Sequence, residues 1–227
     1  MAHDLTREFN RRGPWVTKFV IDNQEYGGRY EAADDTRLKW FRQHFPHART
    51  ILELGSLEGG HSFALAVLPD VERIVAVEGR RKNLRRAKFV QELLHLGKVE
   101  FVRADLETVD LTRLGSFDVV LCMGVLYHLR EPWRLLGNMR RAAGGAFIWT
   151  HYAEDSRARV TRHGYKGRLY REWFFLWEPL SGLRPASFWP RRPDLLRMLA
   201  DAGFVDASVV DDRPDHEHGP AITISVR

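Results

Sequence analysis

Residues 51–66 read ILELGSLEGGHSFALA: an apolar run that stops on an acid, a glycine-broken turn, then apolar residues at helical spacing. A short apolar run closed by turn residues is the pattern of a buried strand, and the apolar spacing that follows is that of a helix. Gly55 and Gly59 allow the backbone to come close to a ligand, and the helix starting near His61 points its positive end to the same spot. A glycine turn after a strand is a weak signal alone, so the rest of the chain must say what it holds.

The alternation continues outward on both sides. Buried strands are predicted at 50–53, 74–78, 99–103, 117–122 and 146–150. Between them, HSFALAVLP should stop at Pro69, and RRKNLRRAKFVQELLHLG puts Leu84, Ala87, Val90 and Leu94 on one face and ends at Gly97. REPWRLLGNMRRAAGG starts with Pro132 in its first turn. This is an α/β pattern, with a parallel sheet covered by helices on both faces. An irregular aromatic stretch at 151–189 follows. Then come a helix in PDLLRMLADAGF, capped at Gly203, and two strands, 204–210 and 221–226, around the charged loop DDRPDHEHGP. The segment 1–48 reads as an N-terminal cap, with WVTKFVI as a short edge strand. Residues 49–227 read as the main domain, with a lid insertion at about 152–190.

Composition narrows the class. The chain has 227 residues, enough for one full core, and its 44% apolar and 29% charged residues are ordinary for a globular protein. A single cysteine, Cys122, excludes an intrachain disulfide and fits a reducing compartment; it reads as buried packing. No apolar leader or spanning run is present, so a cytoplasmic protein without a membrane is expected. The net charge of +5 and pI near 9.5 keep phosphate-bearing partners in play, but the arginine pairs are spread along the chain rather than forming one stripe.

Four features fall at the C-terminal ends of successive strands, where open parallel sheets bind ligands. They are the turn from Glu53 through Gly55, Ser56 and Gly59; Glu78 with Gly79; Asp105 with Leu106; and the stretch CMGVLYHL, which carries Met123, Gly124, Tyr127 and His128. Glu78 is placed where a carboxylate accepts ribose hydroxyls. GSLEGG does not supply the G-x-G-x-x-G turn that a nicotinamide cofactor would want.

From Ile51 to Val226 this set resembles the class I S-adenosylmethionine-dependent methyltransferases. The resemblance implies a Rossmann-like seven-stranded sheet whose last strand is antiparallel and inserted beside the fifth, with S-adenosylmethionine as cofactor. It also implies that Glu53 acts toward the methionine amine through the turn, Glu78 on the ribose, Asp105 with Leu106 on the adenine, and Met123-Gly124 on the methionine side. Leu57 stands where many members carry a glycine, which implies a wider turn. MGVLYHLREP and SFWPRRPDLLRMLADAGF are similar to the tRNA wobble-uridine carboxymethyltransferases and to stand-alone bacterial methyltransferases of secondary and polysaccharide metabolism. By that resemblance Met123 and Tyr127 line the cofactor pocket.

The expected reaction is methyl transfer to a small-molecule acceptor at a hydroxyl oxygen. RNA modification and a non-catalytic cofactor-binding subunit are the alternatives. A hydroxyl acceptor gains from a base near neutral pH, and His128 and His151 are the candidates; each also reads as a packing residue. Tyr165, Tyr170, Trp173 and Trp177 in the aromatic stretch are candidate acceptor contacts, or else a packing surface or a contact between two copies of the chain. Tyr26 and Tyr30 are candidate contacts from the cap. The acids and histidines at 211–218 read as a solvated turn, and no metal is expected.

Overall fold

The computed structural model describes residues 2–172 and 178–227, so the expected contacts Trp173 and Trp177 lie outside the described residues. The chain opens with helix α1 (Ala2–Arg12), the hairpin β1 (Lys18–Ile21) and β2 (Gln24–Gly27), and helix α2 (Thr36–His44). The alternating block follows as β3 (Thr50–Leu54), α3 (Gly60–Ala66), β4 (Arg73–Glu78), α4 (Arg81–Leu94), β5 (Val99–Arg103), β6 (Phe117–Met123), α5 (Pro132–Ala142) and β7 (Ala143–His151). An insertion carries β8 (Val160–Arg162), β9 (Tyr165–Arg171) and β10 (Ala186–Pro190). The chain closes with α6 (Arg192–Asp201), β11 (Ser208–Arg213) and β12 (Ala221–Val226). Among the described residues no helix is long and apolar enough to cross a membrane.

Seven strands form one sheet in the order β11-β12-β7-β6-β3-β4-β5. Strands β3 to β7 pair in parallel, while β12 runs antiparallel to both β7 and β11. The last strand is thus inserted beside the fifth strand of the sheet, as expected. Strand side chains alternate between two core layers. Leu52 and Leu54 join the layer under α5 and α6, and Ile51 joins the layer that holds Phe41 of α2 and Leu84 of α4. Phe9, Phe19, Tyr26 and Phe41 from the first 48 residues are buried in that second layer, so this segment supplies part of the core.

Several boundaries differ from the sequence reading, each for a local reason. Strand β7 begins at Ala143 rather than 146: the glycines expected to end α5 lie in the strand, where a side chain on Gly145 would come 2.7 Å from the Val226 carbonyl and 2.8 Å from the Phe45 ring. Helix α4 ends at Leu94 and is capped by His95, which takes the left-handed conformation itself (φ 54°), two residues before the expected Gly97. Phe204 packs into the core under α6, and β11 starts only at Ser208. Asp211 and Asp212 therefore belong to a strand; Asp212 accepts from Arg192 Nε at 2.6 Å and from the Tyr152 hydroxyl at 2.9 Å. The insertion, read as irregular, contains a three-stranded antiparallel sheet in the order β10-β9-β8.

A buried ion pair ties the N-terminal segment to the main sheet. Glu58 Oε2 accepts from the amides of Val16 (3.0 Å) and Thr17 (2.7 Å), and its Oε1 accepts from Arg86 Nη1 at 3.0 Å. Arg86 Nε donates in turn to the Arg12 carbonyl at 2.8 Å. Both side chains are almost fully buried.

Candidate active site

A cavity of about 440 Å³ opens where β3, β4, β5 and β6 end. That is within the range of small-molecule pockets, about 300–1,000 Å³. Its floor is the glycine turn. Gly55 (φ 73°) and Gly59 (φ 84°) both sit in the left-handed region, and a side chain on Gly55 would strike Val125 at 2.5 Å. Leu57 also adopts a left-handed φ of 52°, so the turn closes with a leucine where a glycine would be easier. Its amide donates to Glu78 Oε2 at 2.9 Å, which holds it there.

Glu78 stands at the end of β4, with Oε1 accepting from the Arg80 amide at 2.6 Å. Burial pushes its carboxyl up to about 7, against the lowering effect of the Arg80 and Leu57 amides. Ser56 lines the same wall, and its Oγ is buried without a hydrogen-bond partner among the described residues. Gly79, Leu106, Met123, Gly124 and Tyr127 line the cavity as well. Asp105 does too, but its Oδ2 already receives Arg184 Nη2, and Oδ1 accepts the Glu107 amide at 3.0 Å.

Glu53 and Gly59 lie behind the turn rather than on the wall. Glu53 accepts from the Ser62 hydroxyl and faces His61 Nδ1 at 3.7 Å. His61 reaches the cavity, with Nε2 at 3.0 Å from Asp35 Oδ2 and 2.6 Å from the Tyr30 hydroxyl. Burial alone would lower its pKa, but the Asp35 and Glu53 carboxylates outweigh it and hold the ring above its usual range. Tyr30 lines the cavity, whereas Tyr26 is stacked on Phe9 in the core. Arg37, paired with Asp35, lies over the Trp149 ring at 4.6 Å.

The two candidate bases occupy different environments. His128 is on the cavity wall, and its Nδ1 lies 2.8 Å from Glu172 Oε1. His151 is not among the wall residues. Its ring is stacked on Trp189 at 5.1 Å and packs against Tyr127 at 4.6 Å, and Nδ1 donates to the Gly219 carbonyl at 2.9 Å. Burial pushes it down to about 4, so it is neutral and only weakly basic near pH 7. Of the aromatic contacts, Tyr165 is buried with its hydroxyl donating to Asp201 at 2.7 Å, and Tyr170 is stacked on Trp189 at 4.7 Å. Neither lines the cavity. Cys122 is fully buried, and burial pushes its thiol up to about 12, which fits packing.

The insertion meets the cavity through residues 179–184 instead. Arg80 Nη2 donates to the carbonyls of Ser181 (3.1 Å) and Gly182 (2.8 Å), and Arg184 pairs with Asp105 and Glu107. A side chain on Gly79 would strike Leu183 at 2.5 Å, so this strap lies directly on the end of β4. Sequence reasoning missed Arg184, Glu172 and Arg37. A sequence signal existed for Arg184, the single basic residue between Arg171 and Arg191. None existed for Glu172, whose partner is 44 positions away.

Comparison with known proteins gives a consistent set of relatives. A family described as a methyltransferase domain matches residues 52–148. The tRNA U34 carboxymethyltransferase of Pectobacterium carotovorum is 29% identical over 210 residues, covering 88% of this chain and 56% of that protein. The enzyme of the same name from Idiomarina loihiensis is 26% identical over 212 residues, covering 88% of this chain and 58% of its own. The chain thus spans little more than half the length of these curated relatives. Among solved structures, the N-terminal domain of EvdMO1, crystallised in the presence of S-adenosylhomocysteine and D-fucose, is 38% identical with a TM-score of 0.90. That match covers 100% of this chain and 96% of the other.

Proposed function

Because the chain belongs to the class I S-adenosylmethionine-dependent methyltransferases, we propose that it methylates a hydroxyl oxygen of a small, sugar-like acceptor. S-adenosylmethionine is its cofactor, and the cavity fits that group. The buried, unpartnered Ser56 Oγ is a polar atom awaiting a ligand, and the left-handed glycines that carry it past Val125 and Phe63 leave no room for side chains of their own. In this reading Gly55 and Ser56 hold the methionine end, backed by Gly59 and Glu53 behind the turn. Glu78 beside Gly79 takes the ribose hydroxyls, Asp105 and Leu106 border the adenine, and Met123, Gly124 and Tyr127 flank the centre. The cofactor, when bound, supplies a methyl group on a positively charged sulfur.

The chain's own part is to align the acceptor, exclude water and take up the hydroxyl proton. His128 carries the reading, because it is the candidate base on the cavity wall and one ring nitrogen is already committed to a carboxylate. The sugar-like acceptor is supported by the D-fucose present with the 38% identical domain. The expected result is that protein saturated with S-adenosylhomocysteine binds D-fucose or its glycosides in a calorimetric titration. Absence of binding by any deoxyhexose would remove the acceptor class while leaving the cofactor assignment intact. The second reading is modification of RNA, supported by the relatives named for tRNA U34. Under that reading RNA binding should fall steeply with salt.

The raised Glu78 carboxyl gives a pH prediction. An acid with a raised pKa favours its neutral form in the ligand-free protein, so its contribution to stability is greatest in acid and is lost as pH rises through about 7. Ribose hydroxyls donate to the ionised form, so binding should expel a proton below that point. Affinity for S-adenosylhomocysteine is expected to fall up to about tenfold per pH unit on the acid side of pKa 7. Calorimetry in buffers of different ionisation heat would detect the released proton. An affinity flat from about pH 6 to about pH 8 would contradict the ribose role.

A further inference from the structure

We propose that Glu172 is the positioning residue of the reaction: its buried carboxylate fixes His128 in the one tautomer able to act as base. The proposal rests on the reading of His128 as that base. Glu172 directly follows β9 and is brought beside His128 by the fold of the insertion. It is only 6% exposed, and a buried carboxylate needs donors around it. Its Oε1 faces His128 Nδ1 at 2.8 Å and the Ser187 hydroxyl at 3.3 Å, and Oε2 faces the Gly182 amide at 3.5 Å.

A carboxylate can only accept, so His128 must carry its proton on Nδ1. The lone pair then resides on Nε2, which has no partner among the described residues, on a side chain that lines the cavity. The acceptor's O–H bond breaks, an Nε2–H bond forms, and the resulting imidazolium lies beside the negative Glu172. That pairing stabilises the charge exactly when it develops in the reaction, which is the logic of an orienting acid behind a histidine base.

The same carboxylate joins the base to the strap. A side chain on Gly182 would come 2.9 Å from the His128 carbonyl oxygen and 3.0 Å from its Cβ, so the strap backbone rests on the histidine itself. Glu172 therefore holds the imidazole from one side while the strap closes over its backbone from another. A pair that merely satisfied a buried polar group would not need its histidine on the cavity wall.

The test is the Glu172→Gln variant, whose amide nitrogen is able to donate to Nδ1, with Glu172→Asp as the conservative partner. Cofactor binding, read by titration with S-adenosylhomocysteine, checks that each variant is folded. Glu172→Gln is expected to lower kcat by about 10²–10⁴-fold with the acceptor KM within about twofold, because orientation and charge matter more in the transition state than in binding. Long-range nitrogen–proton NMR should show the His128 proton move from Nδ1 to Nε2, and Glu172→Asp should restore both the tautomer and most of the rate. An unchanged kcat in Glu172→Gln, with His128→Ala inactive, would overturn the proposal and leave the base assignment standing. Full activity in His128→Ala would overturn the base assignment itself, and the proposal with it.

Discussion

Replacing His128 by alanine is expected to lower kcat by about 10²–10⁴-fold, the usual contribution of a positioned general base. Binding of S-adenosylhomocysteine should stay within about twofold of the parent protein, because the cofactor is assigned to the turn and to the ends of β4 and β5 rather than to the imidazole. A hydroxyl is a poor nucleophile at neutral pH, so the rate depends on a group that takes its proton as the new bond forms. His151 does not substitute for it. Its Nδ1 is committed to the carbonyl of Gly219, and burial lowers its pKa to about 4. The measurement is a steady-state comparison of kcat and KM beside a cofactor titration. A variant of full activity would mean that the acceptor needs no base, as expected of a thiol or amine rather than a hydroxyl.

The largest stability effect is expected at Glu58. Glu58→Ala leaves the Arg86 guanidinium buried beside two backbone amides that have lost their acceptor, Val16 and Thr17. Removing one partner of such a pair costs about 3–5 kcal/mol. For a chain of this size that is a fall in Tm of roughly 6–20 °C, read by calorimetry or urea denaturation. Thr17 and Val16 line the cavity, so cofactor affinity should fall as well. Replacing both partners with apolar residues, Glu58→Leu with Arg86→Met, should recover only the part due to the unpaired guanidinium, because the Val16 and Thr17 amides still lack an acceptor. A single variant as stable as the parent would show that the N-terminal segment is not held by this pair.

What could be read from the chain follows the physics of each element. The central strands were legible because β4 and its neighbours are buried on both faces, and only a continuous apolar run satisfies that. The glycine turn and Glu78 were legible because a left-handed backbone and a strand-end acid leave local marks. The insertion was not. Tyr165 and Tyr170 read in sequence as acceptor contacts or as packing alike; in the structure they lie in the small sheet against Asp201 and Trp189, and the cavity is met by the plainer strap 179–184. Leu57 and His95 adopt conformations that glycine favours, so no residue type announced them. Glu172 pairs with a residue 44 positions away, and pairing of that kind is set by the tertiary fold alone.

The central claim is tested most directly by the product of the reaction. The protein would be incubated with methyl-labelled S-adenosylmethionine and, in parallel, with a panel of deoxyhexose glycosides and with bulk tRNA, and the products resolved by mass spectrometry. The account predicts label in a methyl ether on a sugar hydroxyl and none in RNA. Label confined to tRNA, or transfer seen only when a carboxylated form of the cofactor is supplied, would contradict it.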